Sequence, residues 1–266
     1  MKVLIVGYGN MGKTYANSFI SSRFIKPEDI FVLVRNENFT TAESSIPKAN
    51  FSHIPNEKIS DFDIVILAVK PQDFEVLAKS IKPFLKDSQI LFSVMAGITI
   101  SKLESQLSCS KVVRSMPNIP TQIGMGMTVF TASANVDRKE LFIIQNLINT
   151  TGKSVYVENE KLIDAATAIS GSGPAYVFYF MQSMIKAAVD LGFNESEAEL
   201  LVNQTFMGSV AIQNSYSLSN EQWIAKVASK GGTTERALHV FEKGVLERTI
   251  IDAVKAANDR ALELGS

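Results

Sequence analysis

A turn of three glycines near the start of the chain has the spacing of a phosphate-binding loop. Gly7, Gly9 and Gly12 follow the pattern G-x-G-x-x-G, after the apolar run Val3–Val6 and before a segment of helical periodicity. In such a unit the glycines allow a tight turn, close approach of a pyrophosphate and packing of the helix on the strand. The helix N-terminus adds N–H groups that attract anions. We therefore predict that a dinucleotide binds at Gly7, Tyr8, Gly9, Asn10, Met11 and Gly12.

The end of the second apolar run indicates which dinucleotide binds. The run closes with Arg35 and Asn36, where proteins that bind NAD usually carry Asp or Glu for the ribose 2′-hydroxyl. A cation suits the 2′-phosphate of NADP instead. Two alternatives stay open: Arg35 is simply a solvated strand end, or Glu37 holds the ribose. We favour NADP(H) over NAD(H), with Arg35 and Asn36 at the ribose.

Three further segments place turn-forming residues after apolar runs. They are Ala68-Val69-Lys70-Pro71, Val94-Met95-Ala96-Gly97 and the stretch Arg114–Pro120, which contains Pro117 and Asn118. Ligands of open α/β sheets bind at the carboxyl ends of the strands, so these segments are expected to face the dinucleotide. Ala96 and Gly97 are small enough to let a nicotinamide ribose come close. The alternative is that each segment is an ordinary turn between a strand and a helix, without a role in binding.

A second glycine pair in the other half of the chain has the features of an anion site. The segment Ser229-Lys230-Gly231-Gly232-Thr233-Thr234 precedes a stretch of helical periodicity. Glycines followed by hydroxyls at a helix start can present N–H groups to a small carboxylate. The alternative is that Thr233 or Thr234 merely caps the helix. Spacing alone does not separate these two interpretations.

The chain lacks the proton donor that reduction of a ketone requires. The 3-hydroxyacid dehydrogenases carry G-x-G-x-x-x-K-x-x-x-N at the start of a long helix. In the comparable register from Gly171 and Gly173, the Lys and Asn positions hold Val177 and Met181. Neither side chain can donate a proton to a nascent alkoxide. An iminium is already protonated and needs no proton donor for its reduction. Correct positioning of the substrate would therefore supply much of the rate enhancement.

The order of segments predicts an α/β fold with an N-terminal Rossmann-type doubly wound sheet and an all-helical C-terminal domain. The first half alternates Val- and Ile-rich runs with helical-period segments such as Gly12–Ser22 and Phe74–Phe84, as in a parallel sheet covered on both faces. We place a dinucleotide-binding domain at residues 1–160 and a helical domain for dimerisation and substrate at 161–266. The predicted strands are Val3–Val6, Ile30–Val34, Ile64–Val69, Ile90–Val94, Lys111–Ser115 and Met127–Thr131, with Lys153–Val157 as a last candidate. The predicted later helices are Lys161–Ile169, Pro174–Leu191, Glu195–Ser215, Glu221–Ala228, Thr234–Lys243 and Val245–Leu264.

One predicted helix is too apolar for a small domain to cover alone. Pro174–Leu191 has aromatic and aliphatic residues around most of its circumference. A partner subunit would bury it, since obligate interfaces resemble a domain core cut in half. The alternative is a central helix of a monomeric bundle. We favour a homodimer.

Composition excludes several classes of protein. The chain has 266 residues, a formal charge of −1, 46% hydrophobic residues and 20% charged residues, which is ordinary globular material. No basic surplus predicts nucleic-acid binding, and no apolar run approaches the length of a membrane helix. Cys109, His53 and His239 are too few for a zinc cluster or a His-centred triad, so no metal is expected. The lone cysteine and the absence of a long N-terminal apolar run predict a cytoplasmic protein.

The motifs together resemble the pyrroline-5-carboxylate reductase family along nearly the whole chain. The resemblance rests on the Gly7–Gly12 loop, Ala68–Pro71, Met116–Pro120, Ser170-Gly171-Ser172-Gly173-Pro174-Ala175-Tyr176, and Ser229–Thr234 followed by Ala237-Leu238 and Phe241-Glu242. The first motif is shared by many dehydrogenases, whereas the last two together are highly specific. The resemblance implies reduction of the cyclic imine L-1-pyrroline-5-carboxylate to L-proline by NADPH or NADH, the last step of proline biosynthesis.

The resemblance also implies roles for individual residues. The loop Gly231-Gly232-Thr233, with Ser229 beside it, would bind the substrate carboxylate through backbone N–H groups. The hydroxyl of Thr234 would bond to the imine nitrogen. Asn56 and the segment Ala68–Lys70 would lie along the cofactor. The family builds intertwined dimers, some of which assemble into decamers, which is compatible with the apolar helix at Pro174.

One departure leaves rival functions open. The family usually has Pro where this chain has Lys230, which adds a charge and backbone freedom beside the anion loop. Lys230 either helps to hold a carboxylate or points to solvent, and we favour solvent. The rivals to proline synthesis are a paralogue that binds dinucleotide in a regulatory role and a reductase of a different cyclic imine.

Overall fold

A computed structural model of the chain describes residues 1–36 and 44–265. Contacts divide the chain into two compact units, one from Met1 to Ser172 with the end of the chain from Ala257, and one from Gly173 to Ala256. The first unit extends past residue 160 because Asp164, in the helix that follows, pairs with Arg114 of the sheet. The domain boundary at 160 and 161 stays a prediction.

The first unit contains one sheet of eight strands. All the strands predicted from the sequence are present, and the order across the sheet is β3-β2-β1-β4-β5-β6-β7-β8. β3 has only two residues, too short for a sequence pattern to mark. The strands are β1 (Val3–Val6), β2 (Ile30–Leu33), β3 (Phe51–Ser52), β4 (Ile64–Leu67), β5 (Ile90–Ser93), β6 (Val112–Met116), β7 (Gly126–Ala132) and β8 (Gly152–Tyr156).

The sheet is parallel except at one pair of strands. β6 and β7 run antiparallel, with Val113 opposite Ala132, a departure from the predicted parallel pattern that is confined to this pair. Residues 117–125 connect these strands through a short 3-10 helix at Ile119–Ile123. A parallel connection needs a crossover of a dozen residues or more, and this one is too short.

Helices cover both faces of the sheet, which confirms the doubly wound architecture. On one face α1 buries Tyr15 and Phe19 in a core that also holds Ile144 and Leu147 of α4. On the other face α2 and α3 contribute Phe74 and Leu103 among others. The helices of this unit are α1 (Asn10–Ser21), α2 (Phe74–Ile81), α3 (Ile100–Leu107), α4 (Arg138–Asn149) and α5 (Lys161–Ala166). Thr167–Gly171 continues α5 as one turn of π-helix.

The second unit is helical, as predicted. Its helices are α6 (Gly173–Asp190), α7 (Glu195–Ser215), α8 (Asn220–Val227), α9 (Thr233–Lys243) and the first part of α10 (Leu246–Gly265). α6 packs along α7, yet within the described chain no residue of α6 is buried. Phe178 is 61% exposed and Tyr179 73% exposed. This unit therefore leaves a broad apolar face on α6 and α7.

None of the helices in residues 1–36 and 44–265 combines the length and hydropathy that crossing a membrane requires.

Candidate functional site

Parallel register brings the predicted cofactor segments of the first unit to one edge of the sheet. Val6 lies beside Leu33 and Leu67, and Leu67 lies beside Ser93. Ser93 in turn lies beside Arg114 of β6. The segments that follow these strands share that edge, as ligand sites in open α/β sheets require. The structure thus places along one edge of the sheet the segments Gly7–Gly12, Ala68–Lys70, Ala96–Gly97 and Pro117–Asn118, together with Arg35.

The glycine turn has the backbone geometry of a phosphate cradle. Gly7 has a φ of +93°, and a Cβ there would lie 2.7 Å from the carbonyl oxygen of Ala68. A Cβ on Gly12 would lie 2.1 Å from the carbonyl oxygen of Gly7, whereas one on Gly9 would meet nothing within 4 Å. The outer two glycines therefore serve chain packing, and the middle one leaves open space. α1 begins there with no side-chain cap and no acidic residue in its first turn, so its N-terminal N–H groups suit an anion.

A cavity of about 360 Å³ adjoins this turn. Gly7, Val69 and Arg35 line it, together with apolar side chains such as Leu33 and Val76. Arg35 Nη1 lies 3.2 Å from Asp73 Oδ1, and the two side chains are 80% and 35% exposed. The predicted cation is therefore at the cavity, but it is paired with a carboxylate that the sequence did not single out. Asp73 is 38 residues away in the chain, so no local pattern could have revealed the pair.

Some predicted cofactor residues have protein partners or line other cavities, and their contact with the cofactor stays a prediction. Asn56 lines a separate cavity of about 200 Å³, and its side chain accepts a hydrogen bond from the Lys58 N–H. The Tyr8 hydroxyl lies 3.0 Å from the hydroxyl of Ser44. Asn10 lines a third cavity, of about 500 Å³, between α1 and residues 121–124. Asn36 and Lys70 are exposed, and Glu37, the alternative ribose ligand, lies outside the described residues.

Asn118 links two motifs that are far apart in the chain. Its amide nitrogen donates to the carbonyl oxygen of Ser170 at 3.1 Å, and its amide oxygen accepts from the Met127 N–H at 2.9 Å. A Cβ on Gly171 would lie 2.7 Å from Met116 Cε, so the π-turn packs directly on the last residue of β6. Asn118 therefore holds the segment after β6 in place through its side chain. Contact between Asn118 and the cofactor stays a prediction.

In the second unit, the turn at Gly231 and Gly232 opens α9 without a side-chain cap. Gly232 is the N-cap residue, so the alternative in which Thr233 or Thr234 caps the helix is wrong. Both threonines lie inside the first turn, and within the described chain their hydroxyls bond to no protein group. The first N–H groups of a helix have no intrahelical acceptor, so this end can receive an anion.

Two amides of this turn are already engaged. Gly231 has a φ of +75°, and its N–H donates to Glu235 Oε2 at 2.7 Å. The Gly232 N–H donates to the carbonyl oxygen of Ser229 at 2.9 Å. In this conformation the free donors are those of the first helical turn, from Thr233 onward. Lys230 is exposed, in agreement with the interpretation that it points to solvent.

Arg114, Glu160 and Asp164 form an ion cluster at this edge of the sheet. The sequence pattern did not predict it. Arg114 is 1% exposed, and its guanidinium reaches Glu160 Oε1 at 2.9 Å and Asp164 Oδ1 at 2.5 Å. Glu160 Oε1 also accepts the Ile100 N–H at 2.8 Å, at the start of α3. The cluster ties β6 to the segment after Ala96 and Gly97. Within residues 1–36 and 44–265, no group of three His, Cys, Asp or Glu side chains could hold a metal ion.

Comparison with known proteins gives one consistent family. Residues 160–264 match the model described as pyrroline-5-carboxylate reductase dimerisation. Residues 2–97 match that of NADP oxidoreductase, coenzyme F420-dependent. The pyrroline-5-carboxylate reductase 2 of Bacillus subtilis is 33% identical over 99% of this chain and 95% of its own length. The Staphylococcus saprophyticus pyrroline-5-carboxylate reductase is 31% identical over 100% and 98%.

Solved structures agree with the sequence relatives. The pyrroline carboxylate reductase of Plasmodium falciparum, crystallised with NADP bound, superposes with a TM-score of 0.88 at 33% identity, covering 100% of this chain and 98% of that one. The pyrroline-5-carboxylate reductase of Coxiella burnetii gives 0.89 at 30% identity, with the same coverage. The resemblance inferred from the motifs is thereby confirmed, and the chain belongs to the pyrroline-5-carboxylate reductase family.

Proposed function

We propose that this protein reduces L-1-pyrroline-5-carboxylate to L-proline with a nicotinamide dinucleotide as the hydride source. The observation that carries the proposal is the uncapped start of α9, where two free threonine hydroxyls adjoin N–H groups without intrahelical acceptors. A small imine that bears a carboxylate matches both features. The relatives named for this reaction cover the whole chain, which supports the same activity here.

The cofactor would be held by the first unit. The open space at Gly9 and the uncapped start of α1 suit a pyrophosphate, and Arg35 at the neighbouring cavity suits a 2′-phosphate. Bound there, the reduced nicotinamide supplies a hydride. We propose NADP(H) over NAD(H) on the strength of Arg35, and the Plasmodium falciparum relative was crystallised with NADP.

The substrate carboxylate would bond to the amides of Thr233 and Thr234. Those of Gly231 and Gly232 already donate to Glu235 and to the carbonyl of Ser229. Binding through Gly231 would require Glu235 to leave. Of the loop Gly231-Gly232-Thr233 that the resemblance implies, only the Thr233 amide is free for the carboxylate, and Thr234 adds a second donor.

Thr234 would orient the imine. Its hydroxyl is free of protein partners in the described chain, so it can bond to the ring nitrogen. A protonated C=N carbon accepts hydride without a further proton, which suits the apolar Val177 and Met181 at the positions of the Lys and Asn in hydroxyacid dehydrogenases. Catalysis would then rest on orientation.

The test is oxidation of NADPH and of NADH on addition of pyrroline-5-carboxylate, with an open-chain 2-oxo acid as the negative control. Thr234→Ala is expected to lower kcat/KM by about 100-fold, the usual effect of removing one aligned donor. It should leave the dissociation constant for NADPH unchanged. Thr234→Ser, which keeps the hydroxyl, should retain most of the activity. Full kcat/KM in purified Thr234→Ala would refute the role.

The outcome also separates the rival functions. Cofactor binding without turnover of pyrroline-5-carboxylate would favour a regulatory paralogue. Turnover of another cyclic imine alone would favour a reductase with altered substrate.

We further propose that the protein is a cytoplasmic homodimer. The exposed apolar face of α6 and α7, which includes Phe178, Tyr179 and Leu200, supports self-association, as does the match to a dimerisation family. The buried, unpaired thiol of Cys109 suits a reducing compartment. Light scattering on the purified protein should give twice the chain mass of 29.1 kDa. A decamer would give ten times the chain mass. A mass equal to one chain would contradict the proposal.

A further inference from the structure

The ion pair between Arg35 and Asp73 is part of the lining of the cavity beside the glycine turn. Arg35 Nη1 and Asp73 Oδ1 are 3.2 Å apart, and both residues line the cavity. Most of the other described lining residues are aliphatic, and apart from His53 none of these carries a titratable side chain. Among the residues that the structure describes, the pair therefore dominates the charge along this cavity.

The Asp73 side chain does not cap the helix that it precedes. It stands at the N-cap position of α2, where an Asp side chain usually accepts an N–H of the first turn. Here it makes no such bond, and its carboxylate is directed to Arg35, 38 residues away. Its charge is thus committed to the cavity.

We infer that Asp73 sets how strongly this site prefers a phosphorylated over an unphosphorylated dinucleotide, an inference that rests on the proposed function. A ribose phosphate that bonds to Arg35 must take the guanidinium from Asp73, and it then lies near a like charge. Both effects oppose the phosphorylated ligand. A ribose with a neutral hydroxyl meets neither. The preference for NADPH over NADH should therefore be weaker with Asp73 present than it would be with Arg35 alone.

The size of the effect follows from simple electrostatics. An exposed ion pair contributes little, and repulsion between a carboxylate and a phosphate near a protein surface adds a comparable amount. Together they predict that removing the Asp73 charge tightens NADPH binding about five-fold. Added salt should shrink this difference because both effects are screened.

The experiment is Asp73→Asn, which keeps the size of the side chain and removes its charge. Dissociation constants for NADPH and NADH are measured by calorimetry on the purified full-length protein without substrate. NADPH should bind about five-fold tighter, and NADH should change by less than about two-fold. The pair 2′,5′-ADP and 5′-ADP should show the same contrast, which ties the effect to the ribose phosphate.

Two further variants keep the inference falsifiable. Asp61→Asn makes the same change in net charge at an exposed residue outside this cavity and should leave the ratio of the two constants unchanged. Arg35→Met should weaken NADPH selectively, and in that background Asp73→Asn should gain less. An unchanged ratio in Asp73→Asn, or weaker NADPH binding because the carboxylate chiefly orders Arg35, would overturn the inference. Because substrate is absent from these titrations, failure to reduce pyrroline-5-carboxylate would count against the proposed function alone.

Discussion

Arg114 and Asp164 form an ion pair inside the first unit, with Nη2 and Oδ1 2.5 Å apart. Glu160 bonds to the same guanidinium and to the backbone N–H of Ile100. One arginine on β6 therefore joins the start of α3 and the helix α5. Both attachments border segments at the predicted cofactor edge, so the cluster fixes part of the frame on which that site is built.

Replacing Arg114 with Met should destabilise the protein strongly. The change leaves two carboxylates without their partner, in a place where Asp164 is itself buried. Breaking a buried pair in this way costs about 3–5 kcal/mol. Urea unfolding followed by circular dichroism measures the loss. Adding Glu160→Gln and Asp164→Asn to Arg114→Met should restore part of the stability.

Arg248→Met provides the matched control for Arg114→Met. Arg248 pairs with Asp252 four residues on, and both side chains are at least half exposed, so its loss should cost about 0.3–0.5 kcal/mol. An equal loss of unfolding free energy in the two variants would mean that the buried cluster stabilises the protein no more than an exposed ion pair does.

Alanine at Gly9 and at Gly12 should separate ligand binding from folding. A Cβ at Gly9 meets only open space, so Gly9→Ala should keep its melting temperature. It should weaken NADPH binding at least about ten-fold, because the methyl group lies where the pyrophosphate approaches. A Cβ at Gly12 collides with the Gly7 carbonyl oxygen, and Gly12→Ala should lose about 1–3 kcal/mol of stability as well.

Melting curves and NADPH titrations of both glycine variants provide the check. A Gly9→Ala variant that binds NADPH like the wild type would show that the space at Gly9 is not the pyrophosphate site.

Cys109 should be inert towards thiol reagents in the folded protein. Its side chain is 2% exposed, and burial, with a smaller contribution from the nearby Asp87 charge, raises the pKa of the thiol to about 11. At pH 8 labelling by a disulfide reagent should be at least about 100-fold slower in native protein than in urea. Comparable labelling rates in the two states would contradict the buried placement.

The same pKa shift has a consequence for stability. Because folding raises the pKa of an acid, the neutral thiol is favoured in the native state. This contribution is complete below the pKa of the unfolded thiol, about 8.5, and is lost as pH rises towards 11. Cys109→Ala lacks this contribution at every pH. As pH rises through this range, the unfolding free energy of the wild type should therefore fall relative to that of Cys109→Ala.

Much of the fold could be predicted from the sequence because it depends on local patterns. Val- and Ile-rich runs marked every strand longer than two residues, and helical periodicity marked the long helices after residue 160. The antiparallel turn between β6 and β7 escaped prediction. Its short connection made a parallel crossover impossible, a constraint on chain length that the apolar pattern of Met127–Thr131 did not express.

The candidate site was predictable only in part. The spacing of the glycines before α1 is enough to predict a phosphate-binding turn, so this part of the site could be inferred directly. Asn118 and Asn56 could not be assigned in the same way. Asn118 bonds to Ser170 and Met127, and Asn56 caps the turn at Lys58. Side-chain direction depends on neighbours that are remote in the chain.

Residue type, order and spacing are enough to predict the strand–turn–helix cradle at Gly7–Gly12, the two-part organisation and the family, because each of these depends on local patterns along the chain. Tertiary structure alone decided which charges meet. Asp73 reaches Arg35, and Asp164 reaches Arg114, across 38 and 50 residues. Electrostatic pairing acts over a few ångströms of space, and folding rather than sequence separation sets that distance.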